Sequence, residues 1–168
     1  MASSCHATTS SVTSDEWRTP NAFTGSLGAR LLACDVEAAT VPITYQISGS
    51  DGLIAEVWLG DISIADLREH WLRLLHDEKA LALRKSLADL RGSTLLFSAQ
   101  DLDLAVREVA EPMLKGRDWI SAIVVSTPRQ IQLSSVYQGL ALAYSHDVIF
   151  SSTDEARRWL LTQEPRVA

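Results

Sequence analysis

Apolar and polar residues change their spacing along this chain in a way that separates strands from helices. Ile43, Tyr45 and Ile47 alternate with Thr44 and Gln46, and a second alternating run follows from Leu53 to Leu59. The cluster Gly49-Ser50-Asp51-Gly52 lies between them, so the pair predicts a β-hairpin. Beyond Gly60-Asp61 the period lengthens. Ser63, followed three residues later by Asp66, marks a helix start, and Leu67, Trp71, Leu74 and Leu75 form its apolar stripe opposite Arg68, Glu69 and Arg73. That helix is expected to end near His76-Asp77, with residues 79–85 as a connection into a strand over Ser86 to Leu90.

The same alternation of periods continues to the end of the chain. Arg91-Gly92-Ser93-Thr94 reads as the loop after the third strand, and Ser98 with Asp101 opens a helix whose stripe is Leu102, Ala105, Val106, Val109 and Met113. Pro112 is expected to kink or end that helix, because it lacks an N–H and its ring crowds the preceding turn. Trp119 to Val125 is apolar without alternation, the mark of a strand covered on both faces. Thr127 before Pro128 starts a helix carrying Leu133, Val136, Tyr137, Leu140 and Tyr144. Gly139 inside it suggests a close approach to a neighbouring element. Asp147 to Phe150 forms a last strand, and Ser152 or Thr153 caps a final helix with Ala156, Trp159 and Leu160. The order β-β-α-β-α-β-α-β-α predicts an α/β domain: a mixed, mostly parallel five-stranded sheet with an N-terminal hairpin and four helices.

Composition divides the chain. Residues 1–40 open on a run rich in serine and threonine and are expected to form a flexible low-complexity leader, ahead of one domain over residues 41–164. The leader is either functional or the product of an over-long start assignment, and Gly28 to Ala33 could form a short helical turn within it. Cys5 and Cys34 both lie there, as a disulfide or, as a reducing compartment favours, as two thiols. A net charge of −6 without a cluster of Lys and Arg argues against a nucleic-acid partner and against an anionic membrane surface. No apolar run reaches the roughly 20 residues of a membrane span, and the first residues do not read as a secretory signal. The cytoplasm is the expected location.

Four stretches together resemble the STAS or SpoIIAA-like superfamily, in particular its small bacterial members. They are Ile43-Thr44-Tyr45, the run Leu87-Ala88-Asp89-Leu90-Arg91-Gly92, the turn Val124-Val125-Ser126, and Phe150 to Thr153 followed by Asp154-Glu155-Ala156-Arg157-Arg158-Trp159-Leu160. The resemblance covers residues 42–162 and implies a SpoIIAA-like fold and a regulatory or protein-interaction role. In the anti-sigma factor antagonists of that family, an Asp-Ser-Ser-Gly motif opens the second helix and carries a phosphorylated serine. The matching positions here are Phe97-Ser98-Ala99-Gln100, so one serine is kept and the rest of the motif is absent. The phosphorylation switch is therefore not carried over, and Ser98 is read as a helix cap.

Candidate binding residues gather where the strands end, since ligands of open α/β sheets meet the crevice beyond the strands' carboxyl ends. That rim is expected to hold Asp89, Arg91, Ser93, Thr94, Ser98, Ser126, Thr127 and Arg129, with hydroxyls and guanidinium groups suited to an anion or a partner carboxylate. The competing reading is that the hydroxyls satisfy their own helix ends and that Asp89 and Arg91, two apart on one strand face, pair with each other. No histidine falls in a nucleophile motif, and His70 and His76 are six apart, not the three or four that put two metal ligands on one helical face. No catalytic residue, metal or cofactor is expected. The sequence thus points to a non-enzymatic interaction or regulatory module with an unidentified protein partner, a homodimer being one arrangement. The alternative is a domain binding a nucleotide, a phosphorylated metabolite or an acyl chain in the crevice.

Overall fold

The computed structural model describes residues 41–164. The expectations for the leader, its two cysteines and its short helical turn lie outside the described residues. Five strands form one sheet in the order β1-β2-β3-β4-β5: β1 (Ile43–Ser48), β2 (Leu53–Ile62), β3 (Lys85–Leu95), β4 (Trp119–Val124) and β5 (Ser145–Phe150). β1 pairs antiparallel with β2, and every other neighbour is parallel. This is the mixed, mostly parallel five-stranded sheet with an N-terminal hairpin that the sequence predicts. β4 is buried along its whole length, as its dense apolar run, interrupted by Ser121, leads one to expect.

Strand alternation sorts side chains onto two faces. Ile54, Trp58, Ala88, Leu90 and Ile123 face the larger core, with α1 (Ile64–Leu75), α3 (Ala99–Ala105) and α5 (Pro128–Ala141). Leu53, Leu87, Ala122 and Val124 face the smaller one under α6 (Thr153–Thr162), which contributes Ala156 and Leu160. Arg157 of α6 forms an ion pair with Asp51 in the hairpin turn.

Four details depart from the sequence reading. Residues expected as a connection form α2 (Glu78–Leu83), because Asp77 Oδ1 accepts from the backbone N–H groups of Lys79 and Ala80 at 3.0 and 3.1 Å and so nucleates a short helix. Arg91-Gly92-Ser93-Thr94 is not a loop, since β3 runs on through it to Leu95. Pro112 neither ends nor simply kinks its helix. A π turn over Val106–Ala110 precedes it, with Glu111 N–H donating to the Val106 carbonyl, and α4 (Glu111–Leu114) continues. The wider turn relieves the clash between the proline ring and the carbonyl four residues back. Helical structure thus divides into more pieces than the four expected.

Gly139 is the fourth. No neighbour lies within 4 Å of the position a Cβ would take, so close packing is not its reason. Replacing a glycine in an exposed helix interior by alanine gains up to about 1 kcal/mol. Gly139→Ala is accordingly expected to raise stability by roughly 0.5–1 kcal/mol in urea denaturation, and a loss of stability would show that the site is constrained after all.

Candidate functional site

The residues expected at the strand ends do converge, but on one another. Arg91 forks onto Asp89, with Nε donating to Oδ1 at 2.9 Å and Nη2 to Oδ2 at 2.7 Å, and its Nη2 also donates to Thr153 Oγ1 at 2.8 Å. The guanidinium holds the Asp89 carboxyl below its usual range. This bidentate pair ties β3 to the first residue of α6, so Arg91 is engaged within the domain. Ser98 and Asp101 form a reciprocal capping box on α3, and the Ser98 hydroxyl lowers the Asp101 pKa. Thr127 and Gln130 form another on α5. Ser152 is the N-cap residue of α6 without a side-chain cap bond.

The remaining candidates surround a defect in the β2–β3 ladder. Val57 pairs with Asp89 and Leu59 with Gly92, so Leu90 and Arg91 of β3 lie against the single residue Trp58. Gly92 sits where the strands crowd, for a Cβ there would come within 2.7 Å of Leu59 Cδ2 and 3.2 Å of the Trp58 carbonyl. Ser93 Oγ donates to the Leu90 carbonyl at 2.7 Å. Thr94 is exposed in the ladder opposite Asp61. Arg129 Nη2 donates to the Phe97 carbonyl. Gln130, only 1% exposed, donates from Nε2 to the carbonyls of Leu90 and Ser93 at 2.6 and 2.8 Å, while its Oε1 accepts from the N–H groups of Ser126 and Thr127. Asp89, Arg91, Ser93 and Thr94 lie within β3, and Ser98, Ser126, Thr127 and Arg129 lie at the starts of α3 and α5. Apart from exposed Thr94, their side chains or backbone groups close the fold.

The space that can take a ligand lies elsewhere, between the sheet and the helices of the larger core. A cavity of about 80 Å³ has aliphatic and aromatic walls that include Trp58, Trp71, Phe97, Trp119 and Tyr137. Trp71 of α1 stacks on Tyr137 of α5, with ring centroids 6.1 Å apart. Its sheet floor is polar along one row, because the register places Ser86 beside Ser121 and Ser121 beside Asp147. Trp119 Nε1 donates to Ser86 Oγ at 3.3 Å, and the two serine hydroxyls lie 3.1 Å apart. Two residues along β2, Glu56 also lines the cavity, 6% exposed and bonded through Oε2 to Nε2 of fully buried His70 at 2.9 Å. Tyr45 and Trp58 rings pack edgewise around that histidine.

Sequence reasoning placed His70 on the first helix but missed its pairing with Glu56. The alternation Ile54, Glu56, Trp58 on one strand face was the available signal, because a carboxylate between two core residues demands a partner. Of the tryptophans among the described residues, Trp58, Trp71 and Trp119 are buried at the cavity, and Trp159 packs against His146 and Phe150 on the other face. Among the described residues no group of three or more His, Cys, Asp or Glu is placed to hold a metal ion, and no helix is long and apolar enough to cross a membrane.

No family model matches the chain, and no curated protein matches it. Among solved structures, the chain is similar to an uncharacterized protein from the DUF3478 family with a SpoIIAA-like fold from Shewanella loihica PV-4. The two share 24% identity at a TM-score of 0.45, over 70% of this chain and 91% of that one. The fold named for that protein is the one expected from the sequence.

Asp147, at the end of the polar row, gives the site a pH signature. Its carboxyl is 9% exposed, Oδ2 has no hydrogen-bond partner, and Oδ1 accepts from Ser145 Oγ at 2.8 Å. Burial pushes its pKa up to about 6, against the weaker pull of the hydroxyls. The folded state thus holds this proton more tightly than the unfolded chain, so stability falls as pH rises from about 4 through 6. The span corresponds to roughly 2–3 kcal/mol. Asp147→Asn is expected to be more stable than the parent at pH 8 and to lose most of that advantage at pH 4.5, as read by urea denaturation. An advantage independent of pH would contradict the assignment.

Proposed function

We propose that this domain is a non-enzymatic small-molecule-binding module, working in the cytoplasm and passing its occupancy to a protein partner. The observation that carries the reading is the cavity: an apolar, aromatic-walled space with a few convergent polar groups is the ordinary form of a small-molecule site. Its supports are specific. At the rim Arg91 is held by Asp89 and Thr153, while exposed Arg129 gives one N–H to the Phe97 carbonyl and keeps its charge. The commitment of Arg91 favours the helix-covered face over the crevice beyond the strands. Within the cavity, a lining without Lys or Arg among the described residues weighs against a nucleotide or a phosphorylated metabolite, since each needs cations at hand.

Among the described residues, each histidine also has a structural contact. His70 is buried against Glu56, His76 Nδ1 lies 2.6 Å from the Leu72 carbonyl, and the His146 ring packs on Trp159. A regulatory role follows if filling the cavity shifts α1 and α5, whose Trp71 and Tyr137 stack over it.

Benzene is the simplest probe, because an apolar cavity accepts it without any polar recognition. Saturating benzene is expected to raise the melting temperature of the full chain and to perturb its tryptophan emission. Both effects should be lost in Ser134→Phe, which fills the cavity from α5, or in Ala88→Leu, which fills it from the sheet. If neither response appears in the parent, or if both persist in the folded filled variants, the cavity is not a binding site.

A further inference from the structure

The walls of the cavity restrict what it can hold more than its size does. Its volume of about 80 Å³ is roughly half that of a dry cavity that takes benzene, so one six-membered ring or a short branched chain is the upper limit and seats only as the walls move outward. Among the described residues, its lining contains no Lys, Arg or His. The one carboxylate in the lining is Glu56, and His70, outside the lining, bonds to its Oε2 through Nε2. Asp147 adds a second carboxyl at the end of the polar row beneath Ser121. An anion entering here would leave water for a space that offers it carboxylates and no counter-ion.

Hydrogen-bonding capacity is nonetheless present. Glu56 keeps its second oxygen, Oε1, for a donor. Hydroxyls of Ser86, Ser121 and Ser134 line the space. The Tyr137 hydroxyl is kept protonated by burial and by the nearby carboxylates, so it remains a donor at neutral pH. A neutral O–H or N–H can bond to the remaining oxygen at little desolvation cost, whereas an ammonium would shed its water for a lining whose other polar groups are mostly hydroxyls.

We propose that the occupant is an uncharged, single-ring-sized apolar molecule bearing one hydroxyl or N–H group, its ring among Trp58, Trp71 and Trp119 and its polar group at Glu56. This assignment rests on the binding-module reading and names the ligand class of the same cavity. It excludes fatty acids and phosphate esters, and so sets aside the ligands that a phosphate-binding rim would have favoured.

The test compares phenol, benzene, benzoate and benzylammonium on the full chain at pH 7.5, with benzamide and benzyl alcohol as neutral controls matched in size to the two ions, followed by tryptophan fluorescence and calorimetry. Phenol is expected to bind about threefold to tenfold more tightly than benzene, as one hydrogen bond would give, and at least tenfold more tightly than either ion. Glu56→Gln, whose amide keeps both the shape and an acceptor, should still bind phenol, and it should relax the exclusion of benzoate by removing the carboxylate. Ser134→Ala serves as a second variant should Glu56→Gln fail to fold, and is expected to keep the neutral-over-anion order. Benzoate or benzylammonium within threefold of phenol would overturn the ligand class while leaving the cavity a binding site. If no probe binds, including benzene, the binding-module reading itself fails.

Discussion

Two carbonyl oxygens of β3 lie at the end of the ladder, and the side chain of Gln130 donates to both, alone at Ser93 and together with Ser93 Oγ at Leu90. The need for these donors follows from the ends of the elements. Pairing between β3 and β4 stops at Asp89 and Val124, while β3 continues to Leu95 beside β2 alone. Past that point the β4 side of β3 would present bare backbone to a buried region, at a cost of about 1–3 kcal/mol for each unmet group. The chain leaves β4 through Ser126 and Thr127 and turns into α5, which brings Gln130 to that place. The same side chain caps α5 through its Oε1. One residue therefore fixes the start of a helix, the path of the long central strand, and the position of Leu133, Ser134 and Tyr137 over the cavity.

From that point the polarity of the larger core can be followed outward. α5 places Tyr137 against Trp71 of α1, and α1 brings His70 onto Glu56 of β2. The Arg68–Glu108 ion pair, at 2.7 Å, joins α1 to the π turn. A fully apolar core would pack at higher density and leave nothing for a ligand. Here the row Ser86, Ser121 and Asp147 and the pair Glu56–His70 replace what could have been aliphatic side chains. Asp147 is held at a cost to stability at neutral pH, a sign that this row is not optimised for folding alone. On the opposite face the sheet meets a single helix, and Val57 and Leu59 of β2 stay 44% and 60% exposed.

Much of this architecture was legible along the chain because it depends on local signals. The hairpin, the dense apolar run of β4 and the capped starts of α1, α3 and α5 all follow from spacing within a few residues. The Asp89–Arg91 pair was readable for the same reason, two residues apart on one strand. What was not legible depends on contacts between distant segments. The stretch Arg91 to Thr94 carries glycine and small polar residues that locally favour a loop, and only pairing with Leu59 to Asp61 makes it a strand. The bulge there is set by register, which the local pattern does not contain. Gln130 was within reach, since Thr127-Pro128-Arg129-Gln130 has the capping-box spacing, but its second role requires knowing that β3 outruns β4. The cavity could not be read at all, because it is the volume left between helices whose separation is set by large side chains meeting across the sheet.

The measurement that bears most directly on this account is the stability and amide exchange of Gln130→Met, which keeps the length and volume of the side chain and removes its donors and acceptor. Loss of about 1–3 kcal/mol in urea denaturation is expected, from half of a capping box, an unmet carbonyl at Ser93 and a Leu90 carbonyl left with Ser93 Oγ alone. Faster exchange should be concentrated at the start of α5 and in Leu90 to Leu95. Unchanged stability, or a loss spread evenly over the sheet, would contradict the claim that this one side chain joins the central strand to the helix above the cavity.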